Sequence, residues 1–335
     1  MRMSTDGAIV DPETWRDIEA RAVEPGALNA RRLADAGGAV VAVDYQRRRH
    51  ILLPLSSLDD GFSDSRSRGL LILPRMLEVE DAPATPFLDL CSTDPSSRDA
   101  FDVIANDLVT RLAKGMTAAE AASAVLAKWR RFWSIAPAEG LTPEEIRGLF
   151  GELWFVLVWL FPHGVDQVRH WVGPLGARHD FQWDGLSVEA KATNSVRGHI
   201  HRINGIDQLD PPESGQLMLY SVRLREEIAA ANSLLTLVEG ITNQLQNSAE
   251  LLGLFEDRLA AANYSPLHAE RYREIHFRII DERLYRVADD FPRLSAASFV
   301  QGVPPGIERI EYEVNLETCQ HLIVSTRATA FSGPP

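Results

Sequence analysis

Apolar and polar positions alternate along the chain with two different periods. Runs from Ala39 to Asp44, His50 to Leu55, Gly69 to Leu73 and Phe87 to Cys91 are apolar and rich in β-branched residues, and predict strands. Pro12 to Ala22 predicts a short helix. Asp94 to Ser97 reads as a turn, after which Phe101, Ile104, Leu108 and Leu112 recur at helical spacing through Arg98 to Leu112. A second helix opens at Thr117, where Thr117 and Glu120 have the spacing of a capping box. It ends in Lys128-Trp129-Arg130-Arg131-Phe132-Trp133, whose aromatics are expected to pack inward while Arg favours the helix C-terminus.

Ala136 to Leu141 reads as a linker, and the following helix is closely specified. Thr142 is the N-cap, Pro143 occupies the first helical position and Glu145 completes a capping box. Its apolar stripe runs Ile146, Leu149, Phe150, Leu153, Val156, Leu157 and Leu160, with Glu152 at the edge of the stripe. Gly148 and Gly151 are poor helix formers and imply close approach of another backbone. Pro162 and Gly164 end the helix. Strand-like segments are expected at Val165 to Val172, His199 to Ile203 and Gln216 to Leu224, with a turn at Gly173 to Gly176 and one helical turn at Ile206 to Leu209. Arg225 to Asn263 reads as helix, broken at Gly240. His276 to Ile280, Leu284 to Val287 and Ile307 to Val314 read as strands of a small C-terminal subdomain, and Ser332 to Pro335 as a disordered tail. The expected organisation is therefore an α+β or α/β chain in three parts: an N-terminal mixed domain (1–136), a central core of mixed sheet flanked by helices (141–225) and a C-terminal helical and strand region (226–335).

Between Arg178 and Lys191 lies the most informative stretch. Asp184-Gly185 separates two strand-like runs, the signature of a two-residue type I′ hairpin in which both turn residues take φ > 0. Counting outward pairs Trp183 with Leu186, Gln182 with Ser187, Phe181 with Val188 and Asp180 with Glu189. Alternation then puts Asp180, Gln182, Ser187, Glu189 and Lys191 on one face and Phe181, Trp183, Leu186, Val188 and Ala190 on the other. Carboxylates at a directly opposed pair stand about 5 Å apart at Cβ and repel. A sequence that holds them together needs a compensating cation, which Lys191 supplies in part and a divalent metal can complete.

Composition changes this picture only modestly. The chain has 335 residues and the apolar and charged fractions of an ordinary globular protein. Met1 to Trp15 is polar and acidic, without an apolar signal core. The longest apolar run, Leu153 to Phe161, is far shorter than the ~20 residues a membrane helix needs. Two cysteines, Cys91 and Cys319, argue against a disulfide framework and fit a cytoplasmic location. A formal charge of −13 weighs against nucleic-acid binding through overall basicity. Charge is uneven, however. From Ala190 to Ile206 there is no acidic residue, whereas Lys191, Arg197, His199, His201 and Arg202 all fall there, so Arg197, His199, His201 and Arg202 are the candidate DNA-contacting residues. The tip Tyr45-Gln46-Arg47-Arg48-Arg49 reads either as a phosphate contact or, more simply, as a solvated turn. His199 and His201 lack a third ligand at zinc-site spacing. Ser187 and Ser195 lack a nucleophile elbow. There is no P-loop, so any ATP-driven step would need a separate partner.

Asp180, then Glu189-x-Lys191, preceded by a helix carrying Glu152, resembles the PD-(D/E)xK nuclease superfamily. His179 stands where that pattern usually has Pro. The blocks Gly148 to Leu153, Trp171-x-Gly173-Pro174, His179-Asp180-Phe181, Glu189-Ala190-Lys191-Ala192-Thr193 and Asp207-Gln208-Leu209 resemble an uncharacterised bacterial "PD-(D/E)xK motif protein" family. The resemblance implies a restriction-endonuclease-like core and a Mg²⁺-dependent (Mn²⁺ being the alternative ion) DNA endonuclease in a restriction or phage-defence system. It implies that Asp180, Glu189, the Ala190 carbonyl and Glu152 hold the metal. Lys191 would orient water or stabilise charge on phosphorus, and Gln208 would position water or a phosphate oxygen. A Lys beside two carboxylates is expected to stay protonated, which favours electrostatic stabilisation over general-base action. Implied partners are DNA, with RNA as the alternative substrate, a companion ATPase or methyltransferase, and a second copy in a homodimer. The competing expectation is a catalytically silent nuclease-fold scaffold or DNA-binding subunit, and the blandest is a charged solvent-facing hairpin.

Overall fold

Two sets of strands and helices separate cleanly in the computed structural model, which describes residues 10–326 apart from 66, 68, 80–82, 94–97 and 136–139. The turn expected at 94–97, most of the linker and the C-terminal tail lie outside the described residues. One compact unit comprises the chain up to Ile135 together with Ser265–His268; the other comprises the remainder.

In the first unit, α1 (Pro12–Glu19) is capped by Asp11, whose carboxylate accepts the Thr14 N–H at 2.6 Å. Five strands follow: β1 (Leu28–Arg32), β2 (Val40–Asp44), β3 (Arg49–Pro54), β4 (Leu70–Leu77) and β5 (Thr85–Ser92), then α2 (Arg98–Ala113) and α3 (Ala118–Ile135). The strands form an antiparallel sheet in the order β1-β2-β3-β5-β4. β1, a polar edge strand with no buried residue, gave no apolar signal in the sequence. One sheet face carries Val41, Val43, Ile51, Leu53, Leu88 and Leu90 and packs against Trp15, Phe101, Leu108 and Trp129 of the helices. Trp129 is thus inward, as the end of its helix predicted; side chains 130–133 lie outside the described ones. The other sheet face holds a smaller apolar group, Val40, Ala42, Leu52, Val79 and Phe87.

The second unit begins with α4 (Pro143–Trp154), whose Thr142–Glu145 capping box is complete in both directions. The helix does not run on as α-helix. Phe155–Leu160 is π-helical and Phe161–His163 is 3₁₀. Residues five apart point to different sides of an α-helix but return to one side where hydrogen bonds run i to i+5. Trp154 and Trp159 exploit this: both indoles donate to Glu282 Oε2, at 2.9 and 2.8 Å, joined there by the Tyr220 hydroxyl at 2.7 Å.

Then come β6 (Phe181–Trp183), β7 (Leu186–Thr193), β8 (Ile200–Ile203), β9 (Gln216–Glu226), β10 (Asn232–Ser233), α5 (Leu234–Leu245), α6 (Ala249–Ala261), α7 (Ala269–Glu274), β11 (His276–Arg286), β12 (Tyr312–Asn315) and β13 (Ile323–Ser325). The main sheet has the order β10-β11-β9-β7-β6, with β13 on β11; β7 and β9 are parallel and the other pairs antiparallel. β8 pairs separately with β12. The fold is mixed α+β.

Several expectations need correcting. Val165–His170 is 3₁₀ helix, not strand, and Ile206–Leu209 is a bend and turn without a helix. Gly240 does not break α5; the break falls at Gln246–Ser248, where Ser248 caps α6. The two strand segments at His276–Val287 are one strand, β11, with an irregular register between Ile279 and Asp281, and it lies in the same sheet as the hairpin. Hydrophobic period cannot reveal this, because partner choice is a tertiary property.

The two α4 glycines separate. A Cβ at Gly151 would lie 2.9 Å from Ala192 Cβ on β7, whereas one at Gly148 would meet nothing within 4 Å. Gly151 therefore sets the helix-to-sheet distance, and Gly148 does not. Gly151→Ala is expected to destabilise by about 1–3 kcal/mol through overpacking, and Gly148→Ala to be neutral or stabilising by up to ~1 kcal/mol. Denaturant unfolding of both variants measures this; equal effects would remove the close-approach role.

Candidate metal centre

The hairpin register is as counted: Trp183 faces Leu186, Gln182 faces Ser187 and Phe181 faces Val188. The turn type is not. Gly185 has φ +74°, but Asp184 is not among the positive-φ residues, so the turn is not type I′. The ladder also stops one pair short of Asp180. There the backbone turns away, the Asp180 carbonyl accepting the N–H groups of Val172 and Gly173. Gly173 makes this possible, since a Cβ there would lie 2.6 Å from Asp180 Oδ1. Asp180 Oδ2 instead takes the Ala190 N–H at 2.8 Å, substituting for a main-chain partner beyond the end of β6.

Glu189 is 3% exposed. Its Oε1 accepts from Lys191 Nζ at 3.1 Å and from Gln208 Nε2 at 2.8 Å. Gln208 is oriented by its other end, where Oε1 accepts the Asn204 N–H at 3.0 Å, so its amide N–H groups point to the carboxylate. Glu152, on α4, accepts the Trp171 indole N–H at Oε2, 2.7 Å away. His179 is buried against the backbone of Gln208 and Asp210, tying the Gln208 loop to the segment that leads through Asp180 into β6. Trp171 and His179 fall in the family-like blocks yet carry no expected role in the site; an aromatic N–H aimed at a helix carboxylate has no sequence period to betray it.

Burial raises all three carboxyl groups. Glu152 rises well above its usual range through burial and then the charge of Asp180. Asp180 is raised by burial against the pull of the Ala190 N–H and Lys191. Glu189 is pushed up to about 8 by burial and the charge of Asp180, opposed by Lys191. One ammonium does not offset three partly or fully buried carboxylates.

The basic arc after Lys191 is not basic in space. His199 and His201 are 0% and 4% exposed, contrary to the surface role expected of them, and both bond to Ser221 Oγ. His199 Nε2 also meets Asp281 Oδ2 at 3.1 Å. Arg202 is exposed but pairs with Glu311. Arg197 remains exposed to solvent. Acidic residues more than 70 positions away supply the missing negative charge, which the local count could not show.

The family described as "Putative PD-(D/E)XK family member, (DUF4420)" matches residues 12–317. The chain belongs to this family. No curated protein and no solved structure matches it. Membership in the PD-(D/E)XK family carries a nuclease-like reading, and such nucleases generally use divalent metals.

Among the described residues, no three His, Cys, Asp or Glu side chains converge as a ready-made metal cage. The donor set nonetheless fits a hard cation. Asp180, Glu189 and Glu152 are hard oxygen donors close enough that the charge of Asp180 raises both glutamates, and Mg²⁺ takes one or two carboxylates and keeps several waters.

A raised carboxyl pKa makes the folded protein hold a proton that the unfolded chain has already lost, so folding is penalised increasingly as pH rises from the unfolded value to the folded one. In EDTA, the stability of Glu189→Gln relative to the unsubstituted protein is therefore expected to grow between pH 4.5 and about 8. Urea unfolding across that range tests it; a difference independent of pH would show that Glu189 titrates normally.

Proposed function

We propose that the protein is a metal-dependent DNA endonuclease, with residues 141–225 forming a restriction-endonuclease-like core that β11 extends. The observation that carries the reading is Glu189, buried, with Lys191 and Gln208 on one oxygen and with Asp180 and Glu152 as charged neighbours. Bound by Asp180, Glu189, the Ala190 carbonyl and Glu152, Mg²⁺ would supply an acidified water and neutralise the scissile phosphate. The chain's own residues do the positioning. Glu189 fixes the Lys191 ammonium at the strand surface, aimed at negative charge developing on phosphorus. Gln208, held by Asn204, has a second amide N–H to offer water or a phosphate oxygen. Trp171 fixes the Glu152 carboxylate.

A bacterial restriction or phage-defence setting, a companion ATPase or methyltransferase and a cytoplasmic location extend this proposal and rest on the family resemblance and on the two unpaired, buried cysteines. Among the described residues, no helix is long and apolar enough to cross a membrane. The second reading, a silent scaffold or DNA-binding subunit, draws on the lack of a preformed three-ligand cage among the described residues.

With Mg²⁺, the purified protein is expected to nick or cut plasmid DNA. Asp180→Ala and Lys191→Ala are each expected to lose about 10²-fold or more in rate, and Gln208→Ala about 10-fold. Equal residual nicking by all of them would sink the nuclease reading. Calorimetric titration of Mg²⁺ or Mn²⁺ into the folded protein without any binding would favour the scaffold.

A further inference from the structure

The face of the five-stranded sheet turned away from α2 and α3 carries a charged cluster that the nuclease reading does not use. Asp44, His50 and Asp89 lie beside the small apolar group on that face, at 8%, 2% and 3% exposure. His50 Nδ1 bonds to Asp89 Oδ1 at 2.8 Å and its Nε2 stands 3.5 Å from Asp44 Oδ2 without a hydrogen bond. Burial opposes charge on His50, but its hydrogen bonds to Asp89 and Cys91 and their charges prevail and push it up to about 10. Each carboxylate then orients one guanidinium outward. Arg48 is held by Asp44 at 2.7 Å and Arg75 by Asp89 at 2.8 Å, their side chains 33% and 41% exposed.

These groups line a cavity of about 310 Å³, with Tyr45 at its rim, 60% exposed. Two guanidiniums and an imidazole gather here around two carboxylates. The basic hairpin tip resolves accordingly. Arg49 is spent on Glu19, Asp102 and the Trp15 ring, and Arg47 on the Glu19 carbonyl. Arg48 alone of the three is turned into the cavity. A sheet face could be covered with apolar side chains at no desolvation cost; burying this ionised network is costly and weak evidence for stability. Five N–H donors on each guanidinium, of which the carboxylates use few, and an exposed ring are the parts that grip a phosphate and stack a base.

We propose that this cavity binds a nucleotide phosphomonoester, either a free mononucleotide or the 5′-phosphorylated end of a DNA strand, with the phosphate on Arg48 and Arg75 and the base on Tyr45. The site lies in the first unit and is independent of the candidate metal centre. Calorimetry on the full chain in EDTA, with deoxyadenosine 5′-monophosphate, inorganic phosphate, and a short oligonucleotide with and without a 5′-phosphate as probes, tests it. The nucleotide is expected to bind at one site, at least about 10-fold more tightly than inorganic phosphate. Arg75→Gln and the surface variant Tyr45→Ala, with unchanged melting curves, are each expected to weaken it about 10-fold, a loss near 1.4 kcal/mol. Asp180→Ala is expected to leave it intact. Tighter binding of the phosphorylated oligonucleotide than of the mononucleotide identifies a strand end, and the reverse order a free nucleotide. No binding of either, equal binding of inorganic phosphate, or affinity unchanged in both cavity variants would overturn the proposal and leave the nuclease proposal standing.

Discussion

Three carboxylates held around one ammonium set the terms for the second unit. Such a group is unstable in low dielectric unless every oxygen that can be satisfied is satisfied. The fold meets this from four directions: an indole from Trp171, a main-chain N–H from Ala190, an amide from Gln208 and the ammonium of Lys191. Gln208 and Lys191 share one oxygen of Glu189.

Holding Glu152 in that group is a problem of helix placement. Gly151 lets α4 descend onto Ala192, and the π-helical turn after Trp154 rotates Trp159 onto the side where Glu282 waits. Three donors on one oxygen of Glu282 lock helix and sheet together. A π turn is poorer in hydrogen-bond geometry than the α-helix it interrupts. Its cost is offset by burying Phe155, Val156, Trp159 and Leu160, and by two indole bonds that a regular helix could not make together.

What was legible in the sequence follows from range. The Asp184-Gly185 turn, the α4 capping box and the strand register are decided by residues within a few positions of each other, and all were readable, although the turn adopted another backbone type. The catalytic candidates Asp180, Glu189 and Lys191 were visible because alternation along a strand is local too. Resemblance alone brings Gln208 to the site, as a residue positioning water or phosphate, and its bond to Glu189 is not foreseen, since nothing local links a loop amide to that strand. The supporting groups were not legible. Trp171, Glu282 and Ser221 act across 19, 128 and 20 or more positions, and no period connects them to their partners. The stretch after Lys191 looked basic for the same reason, because Asp281, Glu311 and Glu317 return from the C-terminal part to meet it.

Those returning acids also explain the buried histidines. Ser221 has one hydroxyl proton and two imidazole neighbours, so it donates to one ring and accepts from the other. Asp281 breaks the tie. The Asp281 oxygen at His199 Nε2 accepts the N–H there, leaving Nδ1 to accept from Ser221 and obliging His201 to donate its Nε2–H to the same hydroxyl. Both rings are then neutral, as burial requires, and the charge of Lys191 lowers His201 further, after burial and His199. Ser221 is the register partner of Lys191 on the neighbouring parallel strand. The chain of hydrogen bonds with one fixed polarity therefore starts beside the candidate catalytic lysine and ends at a partly exposed carboxylate.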